Sequence, residues 1–318
     1  MTSFFRRNPA ASRVRRDAPG LGIAFAIVNG FFIVLNDAAI KLVAPEVTLG
    51  QIMFVRGMAA IVVILAYVGV FGRAVDLRVV NWGGQAARAA LMTAATFLYF
   101  FGLRQMPLAD ITTFTFIAPI VVAALSPLML NETVGWRRWT AIVVGFGGVI
   151  VMLRPSPEAF YWVALFPLAS SSLGGLRDLV TRRITLTETS VAMMLYTMAL
   201  EAALGLATLP LGGLAILPLG WAPLGLGDTA LLVGAGLLFA LAQFLSIEAF
   251  RLAEAATVSP FRYVSLVWAI GAGYLLWGDI PDAWTLAGGT IIVGSGLYIF
   301  HRQALVARAG RRTAAQTG

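Results

Sequence analysis

Seven charged side chains fall inside stretches that are otherwise apolar: Asp37, Arg56, Arg177, Asp178, Glu201, Glu248 and Arg262. A charge surrounded by hydrocarbon costs a few kcal/mol on insertion scales, so each of these marks a working site by default. Arg56 offers a planar fork of donors that suits a carboxylate or a phosphate on a substrate. Its alternative is a permanent pair with Asp37 or another carboxylate, acting as structural glue. Glu201 and Glu248 have the chemistry to load and release a proton, or simply to hydrogen-bond a facing helix. Arg262, with Tyr263 beside it and Trp268 further on, is either a substrate contact or a cation reaching for the surface. Asp37 with Lys41, and Asp178 with Arg182, are spaced i,i+4 and share a helix face. Such pairs suit gates, and equally suit ion pairs that set helix register. Tyr99, Phe100, Phe101, Phe114, Phe116, Tyr263 and Trp268 could line a cavity and stack on a planar solute, or serve only as packing.

Several chemistries are excluded by what is missing. The chain has no cysteine and one histidine, His301, at the end of its last apolar stretch. Thiol chemistry and a metal site built on Cys or His therefore have no ligands, and no cofactor is expected. No GxxxxGK[ST] run is present, which argues against an ATP-driven machine. A hydrolase wants a nucleophile with its base, and the one lysine, Lys41, has Asp37 as its evident neighbour. An intramembrane enzyme using Asp37 or Asp178 as an acidic dyad, and a passive solute channel, stay open as alternatives.

The elements that position these residues must be membrane helices. Of 318 residues, 59% are hydrophobic and 12% charged, and the mean hydropathy is +0.85. A soluble domain carries about twice that charge, so most of this surface must face lipid. Windows of about 20 apolar residues, the length that spans a bilayer, fall at 21–43, 48–70, 82–104, 109–130 and 136–153. The second half supplies 158–181, 188–210, 228–250, 257–277 and 283–301. Pro119, Pro127 and Pro167 are expected to kink their helices. Trp136, Trp139, Trp162, Trp277 and Trp284 stand at span ends as interfacial anchors. The glycines at 145, 147, 148, 288, 289, 294 and 296 are expected to be packing seams. Residues 21–43 are too long for a cleaved leader and are expected to be retained as the first helix.

The net charge of +8 comes from basic tails, Arg6 to Arg16 in front and Arg302 to Arg312 behind. That placement predicts contact with anionic lipid rather than nucleic acid. With both termini in the cytoplasm, sixteen of the 23 basic residues fall on the inner side, as the positive-inside rule requires. The sequence leaves a homodimer open.

The chain also repeats itself. At an offset of 147, residues 103–110 lie over 250–257, Phe114 over Phe261, Glu132 over Asp279 and Gly147 over Gly294; an offset of 141 lays Asp37 over Asp178 and Lys41 over Arg182. In this frame Arg262 faces Thr115, so the halves differ in chemistry there. Two copies of an odd number of spans must point in opposite directions, a recurring plan of secondary transporters. The expectation is an all-α polytopic membrane protein of ten transmembrane helices in two inverted five-helix repeats. They run 21–153 and 154–302, between tails at 1–20 and 303–318.

Asn36-Asp37 with Lys41, the stretch from Gly102-Leu103-Arg104 through Ala118-Pro119, Leu130-Asn131-Glu132, the Gly145–Gly148 run and Ser259-Pro260-Phe261-Arg262-Tyr263 together resemble the drug/metabolite transporter superfamily. The likeness is to its ten-helix branch of EamA-type repeats and covers about residues 20–302. It implies a bacterial inner-membrane carrier for a small organic metabolite such as an amino acid or a vitamin, and it names no single substrate.

Overall fold

The computed structural model describes residues 18–43, 45–71, 77–130, 136–153, 162–185, 187–208, 210, 221, 223–252, 261, 264–295, 297, 298 and 301. Among these the chain is helical, with no strand. The helices are α1 (Pro19–Val43), α2 (Leu49–Phe71), α3 (Trp82–Leu103), α4 (Leu108–Phe114), α5 (Ile117–Leu130) and α6 (Trp136–Leu153). They continue with α7 (Leu165–Ile184), α8 (Ser190–Ala207), α9 (Leu226–Leu252) and α10 (Val264–Trp277), and α11 (Ala283–Ser295). Five of them, α1, α2, α3, α8 and α9, are long and apolar enough to cross a membrane. The basic tails lie outside the described residues.

Each expected window holds a helix, and the departures have backbone causes. The window 109–130 is broken between α4 and α5. Pro119 has no N–H for the carbonyl of Thr115 four residues earlier. That carbonyl accepts from Ala118 N at 3.2 Å, and the amides of Thr115 and Phe116 turn back to Thr112 and Thr113 at 3.0 and 3.2 Å. The turn tightens to i→i+3 spacing and the helix axis breaks. Pro127 causes no second break, since α5 continues past it to Leu130. The kink expected at Pro167 is corrected: α7 starts at Leu165, so Pro167 sits in the first turn, where its amide would have had no partner.

The helices pack in a definite set of pairs. α1 runs along α9 and also meets α10; α3 runs along α7 and also meets α8. α2 lies against α8 and α9, α5 against α7, and α4 against α10. The α2–α8 contact is backbone on backbone. A Cβ on Gly205 would stand 2.6 Å from the Gly50 oxygen and 2.7 Å from Phe54 N, so only glycine permits the approach. Of the glycines expected at packing seams, Gly148 brings α6 onto α11, where its Cβ would meet the Gly288 carbonyl oxygen at 2.9 Å, whereas Gly147 and Gly294 face open space.

Burial departs from that of a soluble protein on both sides of the surface. Large apolar side chains such as Val62, Val143, Leu226 and Leu275 are exposed, while Arg56, Gln85, Arg88, Thr93 and Glu201 are buried. An apolar coat over a core that also holds buried charges suits a lipid surround. The tryptophans expected at the interface, Trp136, Trp139, Trp162 and Trp284, stand exposed at or near helix starts.

Candidate functional site

The face of the bundle that carries the α1–α2 turn is termed upper, and the face that carries the α2–α3 connection lower. Six or seven residues from the upper ends of their helices, ~10 Å of rise, Arg56 of α2 and Glu201 of α8 form a salt bridge through Nη2 and Oε1. Both are sealed, at 1% and 0% exposure. The guanidinium lies between two rings, 3.9 Å from the Phe239 centroid and 4.7 Å from that of Phe100. This geometry lets a desolvated cation interact with aromatic faces as well as its carboxylate. Arg56 Nε and Glu201 Oε2 are buried without a hydrogen-bond partner among the described residues. The choice left open for Arg56 is thereby narrowed: its carboxylate is Glu201, not Asp37.

Asp37 lies at a similar depth on α1. Its Oδ1 accepts from Asn36 Nδ2 at 2.8 Å and its Oδ2 accepts from the Tyr99 hydroxyl of α3, also at 2.8 Å. The i,i+4 partnership with Lys41 is corrected. Lys41 instead reaches Asp279, between α10 and α11, at 3.4 Å, and stands 4.7 Å over the ring of Trp277. Because the amine is near the upper rim and the carboxyl deeper, each finds a closer partner elsewhere, the carboxyl on α3 and the amine in the α10–α11 connection. Phe114 is fully buried in the apolar core, Phe101 stacks at the upper end with Phe166, and Trp268 is partly exposed against Phe31. Phe114 and Phe101 belong to the same apolar cluster as Tyr99. Arg262 and Tyr263 lie outside the described residues.

A second polar layer sits in the lower half. Arg177 donates twice to Asp178 Oδ1, at 2.6 and 3.1 Å, and its Nη1 points at Met92 Sδ on α3. Glu248 of α9 accepts from the Ser190 hydroxyl at the start of α8 at 2.7 Å. The centre of this layer is Arg88 of α3, which the sequence reading missed. It is 3% exposed, and donates from Nε to Thr181 Oγ1 at 3.0 Å and from Nη1 to the Met193 carbonyl at 2.9 Å and Thr197 Oγ1 at 2.6 Å. Its signal was present: Gln85, Arg88 and Met92 recur at helical spacing and share one face. Glu188 was missed as well. It accepts the amides of Val80 and Asn81 at 3.0 and 2.7 Å, tying the lower entry of α3 to the α7–α8 turn. Among the described residues no cluster of His, Cys, Asp and Glu could hold a metal ion.

What the arrangement can do is hold charges at two depths between helices from both halves of the chain, a feature of solute pathways rather than of inert bundles. Comparison with known proteins agrees. Residues 20–154 match the EamA-like transporter family. A riboflavin transporter of Vibrio cholerae is 30% identical over 87% of this chain and 89% of its own length. An S-adenosylmethionine uptake transporter of Rickettsia bellii is 25% identical over 89% of this chain and 94% of its own length. A pseudopaline exporter of Pseudomonas aeruginosa is 25% identical over 86% and 93%. One crystal structure shares the fold over 90% of this chain and 98% of its own, with a TM-score of 0.61 at 16% identity.

Proposed function

The chain belongs to the drug/metabolite transporter superfamily, and from that premise we propose that it is a secondary carrier that moves a small organic metabolite across the bacterial inner membrane by alternating access. It is a multi-pass membrane transporter and not an enzyme, as its named relatives are transporters. The proposal extends to proton coupling or exchange as the driving force, and to ten spans in two inverted repeats with both termini in the cytoplasm. The basic tails would rest on anionic lipid, and two chains could associate as a homodimer.

The observation that carries the reading is the symmetry of the helix contacts. Counting α4 with α5 as one span, the counterparts under the repeat are α1 and α7, α2 and α8, α3 and α9, α4–α5 and α10. Exchanging them turns the α1–α9 contact into α7–α3, α2–α9 into α8–α3, and α1–α10 into α7 with α4–α5, all of which occur. The α2–α8 contact maps onto itself. A pathway between two such halves can be opened to one side at a time by rocking them.

In this scheme Lys41 and Asp279, with Trp277, close the upper mouth, and Arg177, Asp178 and Glu248 belong to the lower one. Glu201 is the proton site, released or held by its contact with Arg56. Tyr99 positions Asp37. Arg262 and Tyr263 are retained as substrate contacts on sequence grounds, and Phe114 and Trp268 as aromatic neighbours of the pathway.

The test is uptake into proteoliposomes of radiolabelled S-adenosylmethionine and riboflavin, the solutes named for two of the relatives. A carrier gives saturable uptake and counterflow from preloaded vesicles. Flux that rises linearly with concentration and shows no counterflow would point to a channel and overturn the reading.

A further inference from the structure

Three arginines are held inside the bundle among the described residues away from the helix ends, and two of them have a carboxylate. Arg56 has Glu201 and Arg177 has Asp178. Arg88 gives its hydrogen bonds to neutral acceptors alone, two threonine hydroxyls and one carbonyl; the carboxylate that acts on it, Asp178, does so without contact and is itself held by Arg177. Its Nη2 makes no hydrogen bond among the described residues, and the side chain borders a crevice shared with Met194, Thr197, Met198, Ala240 and Gln243, which is closed in this conformation and would have to open to admit a solute. The same hydroxyl that accepts from Arg88 Nε, on Thr181, donates to the Arg177 carbonyl at 2.8 Å, so the group is fixed between α3, α7 and α8. A guanidinium cannot discharge by losing its proton, and leaving it desolvated with no carboxylate in direct contact is costly. An anion in the crevice would offset that cost through the free edge of the fork.

We infer that Arg88 is an anion-recognition point, and that the transported solute is an organic molecule whose carboxylate docks on Arg88 Nη2 beside the Gln243 amide. Two methionines and an alanine also line the crevice. Thioether side chains adapt to the shape of an apolar body, so the crevice selects for an anionic group on a modest hydrophobic frame rather than for a bare inorganic ion. This rests on the carrier reading above and names the chemical class of its substrate. The carboxylate-binding task that the sequence suggested for Arg56 thereby passes to Arg88, because Arg56 is already engaged by Glu201.

The probe is benzoate, with its uncharged isostere benzamide and with chloride at matched ionic strength, applied to the purified full-length protein in neutral detergent. Ligand that favours the folded state raises its melting point. Benzoate is expected to raise the midpoint by about 2 °C or more, with no rise from benzamide or chloride, and Arg88→Gln should abolish the rise. Arg88→Lys, which keeps the charge and loses the fork, should lower it, as should Gln243→Leu; these two decide the matter where Arg88→Gln does not fold. A midpoint that benzoate leaves unmoved in the native protein, or moves equally in the variants, overturns the site. Repeating the melt in nanodiscs separates the sources of anion. A benzoate response that persists in phosphatidylcholine and vanishes in phosphatidylglycerol would assign Arg88 to a lipid headgroup and overturn the solute. Saturable uptake combined with no benzoate response removes this site and leaves the carrier; a benzoate response without saturable transport does the reverse.

Discussion

Arg56 and Glu201 illustrate how a single residue is read in a membrane interior. Each is costly to bury alone, and each is tolerable because the other is there. Removing one partner strands the other, so Arg56→Leu or Glu201→Gln should destabilise the protein by about 3–5 kcal/mol in detergent unfolding. The double variant Arg56→Met with Glu201→Leu should recover most of that loss; an additive double loss would mean that the two side chains act separately. At the lower face, Glu188→Ala removes the acceptor for two amides and should cost about 1–3 kcal/mol, read from the same melts, with Glu188→Gln costing less because it keeps an acceptor oxygen. At this scale the sequence was half legible. It picked out Asp37, Arg56, Asp178, Glu201 and Glu248 because charge stands out against an apolar run. It could not pair them, since partners such as Glu201 and Asp279 are far away in sequence and brought together only by packing. Arg88 was overlooked because its neighbours are small and polar enough to blur the edge of the span.

Helices were the most legible level, because a run of about 20 apolar residues has few other uses. What the pattern could not place were the breaks. Pro119 announced a kink, yet the axis parts upstream of it, at Thr115–Phe116, because the missing amide is felt one turn earlier. Pro167 gave the same signal and produced no kink, because a helix start has spare carbonyl-free amides to lose. Glycine likewise carries two meanings that spacing does not separate. Gly205→Ala must push apart the backbones of α2 and α8 and should cost about 1–3 kcal/mol of stability. Gly147→Ala, which meets nothing within 4 Å, should be neutral or slightly stabilising through helix propensity. Melting points of the two variants check the contrast, and equal effects would show that the α2–α8 contact is looser than described.

At the scale of the whole molecule, the composition alone placed the chain in a membrane, and the internal repeat suggested how it is divided. Orientation and gating are open to direct measurement because the natural chain has no cysteine. Single cysteines placed near residues 3 and 314 should both react with a membrane-impermeant thiol reagent only in inverted vesicles; labelling from opposite sides would break the even span count. Lys41→Cys with Asp279→Cys should be joined by a thiol crosslinker, and joining them should stop transport until a cleavable linker is cut. Crosslinking without loss of transport would remove the pair as the upper closure. The glycine contact between α2 and α8 has a mechanical meaning too. With no side chains as a cushion, these two helices cannot slide past each other, and any large movement of one half against the other must be a tilt about the point where they touch. The close approach runs from Gly50 against Gly205 to Gly57 against Met198, no further down than the middle of either helix, so that fulcrum is off-centre. A see-saw supported off its middle swings less on the short side and more on the long one, and the lower mouth should therefore gape further than the upper one in each cycle.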